Sequence, residues 1–179
     1  LCTERALTRW PELNSLNQTL KTESLHPYHI ILLAKDQTGL RNLYRLVSLS
    51  HLEHFHRHPR IPRSLLSAYR EGLLLGSACE AGELFSALLN GADERKVRKI
   101  ASFYDFFEIQ PLGNNNFLIR EGRLTHDQLM DLNRTICRLG EELGRPVVAT
   151  GDVHFLRPED AVYRRILLAG QGYDDAAEQ

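Results

Sequence analysis

Asp152 and His154 stand two residues apart just after the apolar run Val147-Val148-Ala149, with Thr150-Gly151 between. A carboxylate and an imidazole so close can serve as metal ligands or as an acid–base pair. In extended backbone, residues i and i+2 share a side. A strand ending here would point both into the cavity at its C-terminal end, where barrel and open α/β folds place their chemistry. The plainer alternative is a surface Asp beside a hydrogen-bonded His. Cys79 repeats the design, because Glu71-Gly72 forms a turn, Leu73-Leu74-Leu75 a short apolar strand, and Gly76-Ser77-Ala78 leads to a thiol. A thiolate is a soft metal ligand. A small buried filler is the alternative for Cys79, and it suits Cys137, in the middle of a helix, better.

Four of the eight histidines crowd one stretch, His51, His54, His56 and His58, followed by Pro59-Arg60-Ile61-Pro62-Arg63. His51 with His54, or His54 with His58, could share a helix face and suggest a metal site. Pro59, however, pushes His58 out of helical conformation, and only Glu53 adds a carboxylate. Arg57, Arg60 and Arg63 make the neighbourhood cationic, which disfavours a bound cation. The stretch reads as a solvated basic loop. Its functional form is a nucleic-acid contact through those three arginines, which needs only charge to meet a phosphate backbone.

Four strand candidates begin near His29, Leu73, Phe103 and Val147, in segments Tyr28–Ala34, Leu73–Leu75, Phe103–Gln110 and Val147–Thr150. The last, flanked by helical sequence, has the near-continuous apolar character of a parallel strand covered on both faces. Helical sequence separates the strands. Asp36 or Thr38 can cap a helix from about Leu40, and Thr125 with Gln128 forms a capping box for the clearest helix, which stops at Gly144. Strand and helix alternate without consecutive hairpins, so the fold class is α/β, with about four parallel strands. That is too few to close a barrel, which takes about eight.

The chain has 179 residues, 42% of them hydrophobic, with 22 basic and 23 acidic side chains and a formal net charge of −1. This is one domain's worth of ordinary globular sequence, with no global charge excess favouring nucleic acid. Three widely spaced cysteines and no leader pattern favour a reducing, cytoplasmic setting, and no apolar run reaches membrane-spanning length. Residues 1–25, polar and broken by Pro11, read as a linker helix entering the domain, and 173–179 as a polar tail. The chain reads as a piece of something longer.

Three stretches together resemble one family: Tyr28-His29-Ile30-Ile31-Leu32-Leu33-Ala34-Lys35 with Gly39-Leu40-Arg41-Asn42-Leu43, Gly76-Ser77-Ala78-Cys79 with Gly82-Glu83, and Ala149-Thr150-Gly151-Asp152-Val153-His154. They are similar to the polymerase-and-histidinol-phosphatase (PHP) domain of bacterial DNA polymerase III α subunits, nearest to the PolC type. Pro59-Arg60-Ile61-Pro62-Arg63 and Tyr163-Arg164-Arg165-Ile166-Leu167 share in the likeness. The resemblance implies a distorted (β/α)7 barrel of which this chain is the second half, and a metal cluster to which His29, Cys79, Asp152 and His154 contribute. His29 enters as a ligand through the resemblance alone. The family's earlier motifs, a His-x-His, an Asp, a Thr-Asp-His and a strand-end Glu, are not matched in this chain, since its His-x-His spacings at 54–58 fall in the basic loop, after His29.

In PolC-type polymerases an exonuclease is inserted within this domain. Residues 1–25 are then the exit from that insertion, and 26–172 the C-terminal part of the PHP domain. Cys and His ligands favour Zn²⁺, with Mn²⁺ or Fe²⁺ also compatible, while the parent polymerase would use Mg²⁺. The expected partners are the remainder of the polymerase chain and, through it, DNA, with no membrane. No catalytic residue is assigned to the segment, which is expected to be metal-binding and structural. An active metal-dependent phosphoesterase, either a PHP phosphatase or a proofreading nuclease, is the alternative.

Overall fold

A computed structural model describes residues 27–172, so the expected linker helix over 1–25 and the polar tail over 173–179 lie outside the described residues. Short apolar runs form the strands, β1 (Ile31–Ala34), β2 (Leu73–Gly76), β3 (Phe107–Ile109) and β4 (Val147–Ala149). Between β1 and β2 lie α1 (Gln37–Leu52) and α2 (Arg63–Ala68). Between β2 and β3 lie α3 (Glu83–Leu89) and α4 (Glu94–Ala101). A 3₁₀ turn (Leu112–Asn115), α5 (Asn116–Arg120) and α6 (His126–Leu143) precede β4, and α7 (Ala161–Gly170) follows it. The caps are those the residue types dictate. The Asp36 carboxylate accepts from Gly39 N at 2.8 Å, Thr125 and Gln128 close a reciprocal capping box, and Gly144 ends α6 with φ +60°.

The α/β alternation is as expected, but the expectation of four parallel strands is corrected. β1 and β2 pair antiparallel, in register Ile31–Gly76 to Ala34–Leu73, while β3 and β4 pair parallel, Phe107–Val147 to Ile109–Ala149. An isolated parallel bridge, Gly76–Phe106, links the two ladders. The cause of the reversal lies where α1 begins. Gly39 and Gly72 touch backbone to backbone, so that a Cβ on Gly39 would sit 1.8 Å from Gly72 O. Lys35 N donates to Gly72 O at 2.8 Å, and the Asn42 amide donates to Glu71 O at 2.9 Å. The chain thus enters β2 beside the point where it left β1. Among the described residues the strands form no closed barrel.

Leu75 and Phe107 on the strands and Leu46, Leu84, Leu129 and Ile136 on the helices are sealed in one core. Each such burial contributes roughly 1.5–3 kcal/mol. Two strand expectations change. The aromatic run over 103–110 shortens to Phe107–Ile109, because Phe103 and Tyr104 close the end of α4 through bonds to Ile100 O and Ala101 O. β4 is not covered on both faces. Val147 packs on α6, but Val148 is 37% exposed and, among the described residues, β4 pairs only with β3.

Asp105 bolts the middle of the sheet. Its carboxylate accepts from the Arg70 guanidinium at 2.9 Å and from Leu75 N at 2.8 Å, while Arg70 also donates to Phe103 O at 2.7 Å. β2 and the segment entering β3 are thereby held side by side.

Candidate metal centre

The loop after β2 is made to bring Cys79 back over the sheet. Ala78 takes a left-handed backbone with φ +60°, Gly82 N donates to Cys79 O at 2.9 Å, and a Cβ on Gly82 would lie 2.1 Å from Ser77 O. Only glycine allows that approach. His29 lies just ahead of β1, in an isolated bridge with Gly82, with its N–H bonded to Ala81 O at 3.0 Å. The two side chains meet, Cys79 Sγ lying 3.5 Å from His29 Nδ1. Burial pushes the Cys79 thiol up to about 11, the nearby Glu80 adding to it. Without a metal this sulfur is a neutral thiol at physiological pH.

Asp152 lines the same cavity of about 720 Å³ as His29 and Cys79. His154 does not. β4 ends at Ala149, and Asp152 has φ +48°, so the extended alternation that would have put both side chains on one side is broken before it reaches His154. The His154 Nδ1 instead lies 2.6 Å from the backbone oxygen of Asp152 and 3.9 Å from its carboxylate. It faces a neighbouring cavity of about 410 Å³, in which Asp152 is the shared wall.

A thiol and an imidazole in contact, with a carboxylate across the cavity, are a mixed S, N, O donor set that, once the thiol gives up its proton, suits a borderline metal such as zinc. Among the described residues, no three His, Cys, Asp or Glu side chains stand close enough to hold an ion by themselves. The residues therefore match part of a metal cage, its Cys–His edge.

Residues beyond those expected also line this cavity. Glu108 is only 6% exposed, and its Oε1 accepts from Thr150 Oγ at 2.7 Å and from the Gln110 amide at 2.9 Å. It links β3 to the turn that carries Asp152. A carboxylate set between Phe107 and Ile109 in an apolar strand was the available sequence signal. Behind Cys79, Gln110 Oε1, Asn115 Oδ1 and Asn133 Oδ1 have no hydrogen-bond partner among the described residues, and their residues line a cavity of about 10 Å³, room for one water.

Among the described residues the histidines of the basic loop do not group into a metal site of their own. They are spread over the end of α1 and a tight turn, in which His56 N donates to His58 O at 3.1 Å and Arg57 has φ +62°.

The PHP domain model matches residues 9–113, a span that includes His29 and Cys79 and stops short of Asp152 and His154. Over 173 residues the chain is 52% identical to the PolC-type DNA polymerase III of Clostridium perfringens (strain 13 / Type A), a match covering 94% of this chain and 12% of that protein. The PolC-type DNA polymerase III of Bacillus subtilis (strain 168) is 48% identical over 172 residues, with the same 94% and 12% coverage. That of Caldanaerobacter subterraneus subsp. tengcongensis is 53% identical over 171 residues, again 94% and 12%. The chain spans about an eighth of the length of the relatives it matches, and its matched half contains the Cys–His edge: it belongs to the PHP domain family.

Proposed function

We propose that this chain is the C-terminal, metal-binding part of a PHP domain within a PolC-type replicative DNA polymerase. In that reading His29, Cys79, Asp152 and His154 are its share of the metal ligands, and the rest of the barrel and of the cage comes from elsewhere in the longer protein. The observation that carries it is the 3.5 Å contact of Cys79 Sγ with His29 Nδ1 in the cavity that Asp152 also lines, inside a segment similar to PHP domains. Zn²⁺ suits the donors best, with Mn²⁺ or Fe²⁺ acceptable. DNA synthesis would be the work of the parent protein with its own Mg²⁺, in the cytoplasm, and this segment would brace the fold.

The test is metal content, by elemental analysis, of the full-length protein and its Cys79→Ala and His29→Ala variants, beside single-turnover nucleotide incorporation at low temperature. Both variants are expected to lose metal while keeping the incorporation rate. Unchanged metal content overturns the reading. Metal loss accompanied by loss of a phosphoesterase activity present in the wild type would favour the active-phosphoesterase alternative.

A further inference from the structure

Three side-chain amides line the small cavity behind Cys79. Gln110 follows β3, Asn115 closes the 3₁₀ turn and Asn133 lies on α6. Gln110 and Asn115 are 7% and 2% exposed. Gln110 Oε1, Asn115 Oδ1 and Asn133 Oδ1 are buried, and none accepts a hydrogen bond among the described residues. Buried polar atoms almost always have a partner, so three around one cavity point to a shared one. Glu108 lies on the same wall, whereas His29 and Asp152 do not.

Hydrogen bonds fix which end of two of these amides is left over. The Gln110 side-chain nitrogen donates to Glu108 Oε1 at 2.9 Å, and that of Asn133 to the Gln110 backbone oxygen at 3.0 Å. Turning either amide over would set oxygen against oxygen. The missing partner is therefore a donor or a cation. A water has two protons to give, fewer than the acceptors here, whereas a cation serves all three at once. A cation also answers the charge. Glu108, 6% exposed, forms no ion pair among the described residues, and its Oε1 accepts from the neutral Thr150 hydroxyl and Gln110 amide. A buried carboxylate calls for a counter-charge, and Glu80, on the same wall, adds to the negative field. Oxygen ligands select hard ions, and neutral amide oxygens beside one buried carboxylate suit a single positive charge. Magnesium keeps several waters and calcium takes roughly six to eight oxygens. A cavity of about 10 Å³ has room for one body of water's size, which sodium matches and potassium exceeds.

We propose that Gln110, Asn115 and Asn133 bind a monovalent cation of sodium's size, with Glu108 as its counter-charge, in an all-oxygen site behind Cys79. The ion ties the end of β3 to the 3₁₀ turn and to α6, beneath the loop that carries the thiol. It is independent of the metal-binding reading above, since it needs neither His29 nor Asp152 and uses oxygens where the Cys–His edge offers sulfur and nitrogen.

The test is hydrogen exchange read by mass spectrometry on the full-length protein, followed in peptides covering 107–118 and 129–137. Sodium, potassium and choline chloride are compared at one ionic strength, with transition-metal content measured on every sample. Sodium is expected to slow exchange in both peptides saturably, about tenfold at ten times its Kd, and potassium and choline to leave it unchanged. Asn115→Asp puts a charged oxygen in place of the amide nitrogen and should lower the sodium concentration needed by about tenfold, while Asn115→Leu should abolish the sodium effect. Both variants should keep the wild-type transition-metal content. Equal exchange in sodium and choline chloride overturns the proposal, and so does a potassium effect as large as that of sodium. An Asn115→Asp protein that exchanges faster and ignores sodium also overturns it, because the Asn115 amide is then a donor to its neighbours and no ion is needed. A wild type without transition metal counts against the metal-binding reading, and the sodium comparison in that protein still decides this one.

Discussion

Replacing Asp105 by alanine removes two hydrogen bonds at once from the joint between β2 and β3. The backbone N–H of Leu75, on a residue with 0% exposure, then has no acceptor, and orphaning a buried donor costs about 1–3 kcal/mol. The Arg70–Asp105 pair, with side chains 32% and 22% exposed, is screened and adds about 1 kcal/mol. Arg145, 3.8 Å away, adds little. The sum is about 2–4 kcal/mol, which at about 2–4 °C per kcal/mol for a chain of this length lowers the melting temperature by roughly 4–16 °C. Asp105→Asn keeps an acceptor for Leu75 N while giving up the charge, so it should cost only about 1 kcal/mol. Urea denaturation followed by circular dichroism measures both. An alanine variant within about 0.5 kcal/mol of wild type would refute the bolt, and an asparagine variant as unstable as alanine would show that charge, not the orphaned amide, sets the cost.

Two further outcomes are expected. Thr150→Val takes from the buried Glu108 carboxylate its 2.7 Å hydroxyl donor and should cost about 1.5–3 kcal/mol, with Thr150→Ser near wild type, read by the same denaturation. In metal-free protein, Cys79 alkylation should be slow at neutral pH and rise about tenfold per pH unit until it levels near pH 11, whereas in the unfolded chain it levels near 9.0, as mass spectrometry of the labelled peptide would report. The sign follows from burial, since the folded state holds the thiol proton more tightly than the unfolded state. The corresponding stability is therefore present below pH 9.0 and is lost as pH rises toward about 11.

What was legible in the sequence was local. α6 announces itself through Thr125, Gln128 and Gly144, and β2 and the turn to Cys79 through Leu73-Leu74-Leu75-Gly76. These signals act over a few residues, within reach of pattern. The reversal of β1 against β2 depends on Gly39 meeting Gly72, a contact across 33 positions that no periodicity encodes. Cys79 was visible at its strand end, but His29 was reachable only through resemblance, because its meeting with the thiol depends on how the Gly82 loop folds back. Asp152 and His154 were visible as a pair, yet the φ of +48° at Asp152, beyond which only Asp152 reaches the cavity of His29 and Cys79, leaves no mark in the residue types. Arg60 could be read as charge and not as position, since its place on the cavity wall is set between two prolines and beside a partly buried Ile61.

The outer edge of β4 has a further consequence, for how the chain behaves in solution. Among the described residues that edge, which carries Val148, is unpaired, and α7 turns Tyr163, Ile166 and Leu167 outward, each more than 60% exposed. A free strand edge next to bare aliphatic side chains is a template on which another copy can add a strand. Left to itself at high concentration, the chain has a built-in route to self-association through this strand edge, and lysine at Val148 is the substitution most directly aimed at closing it.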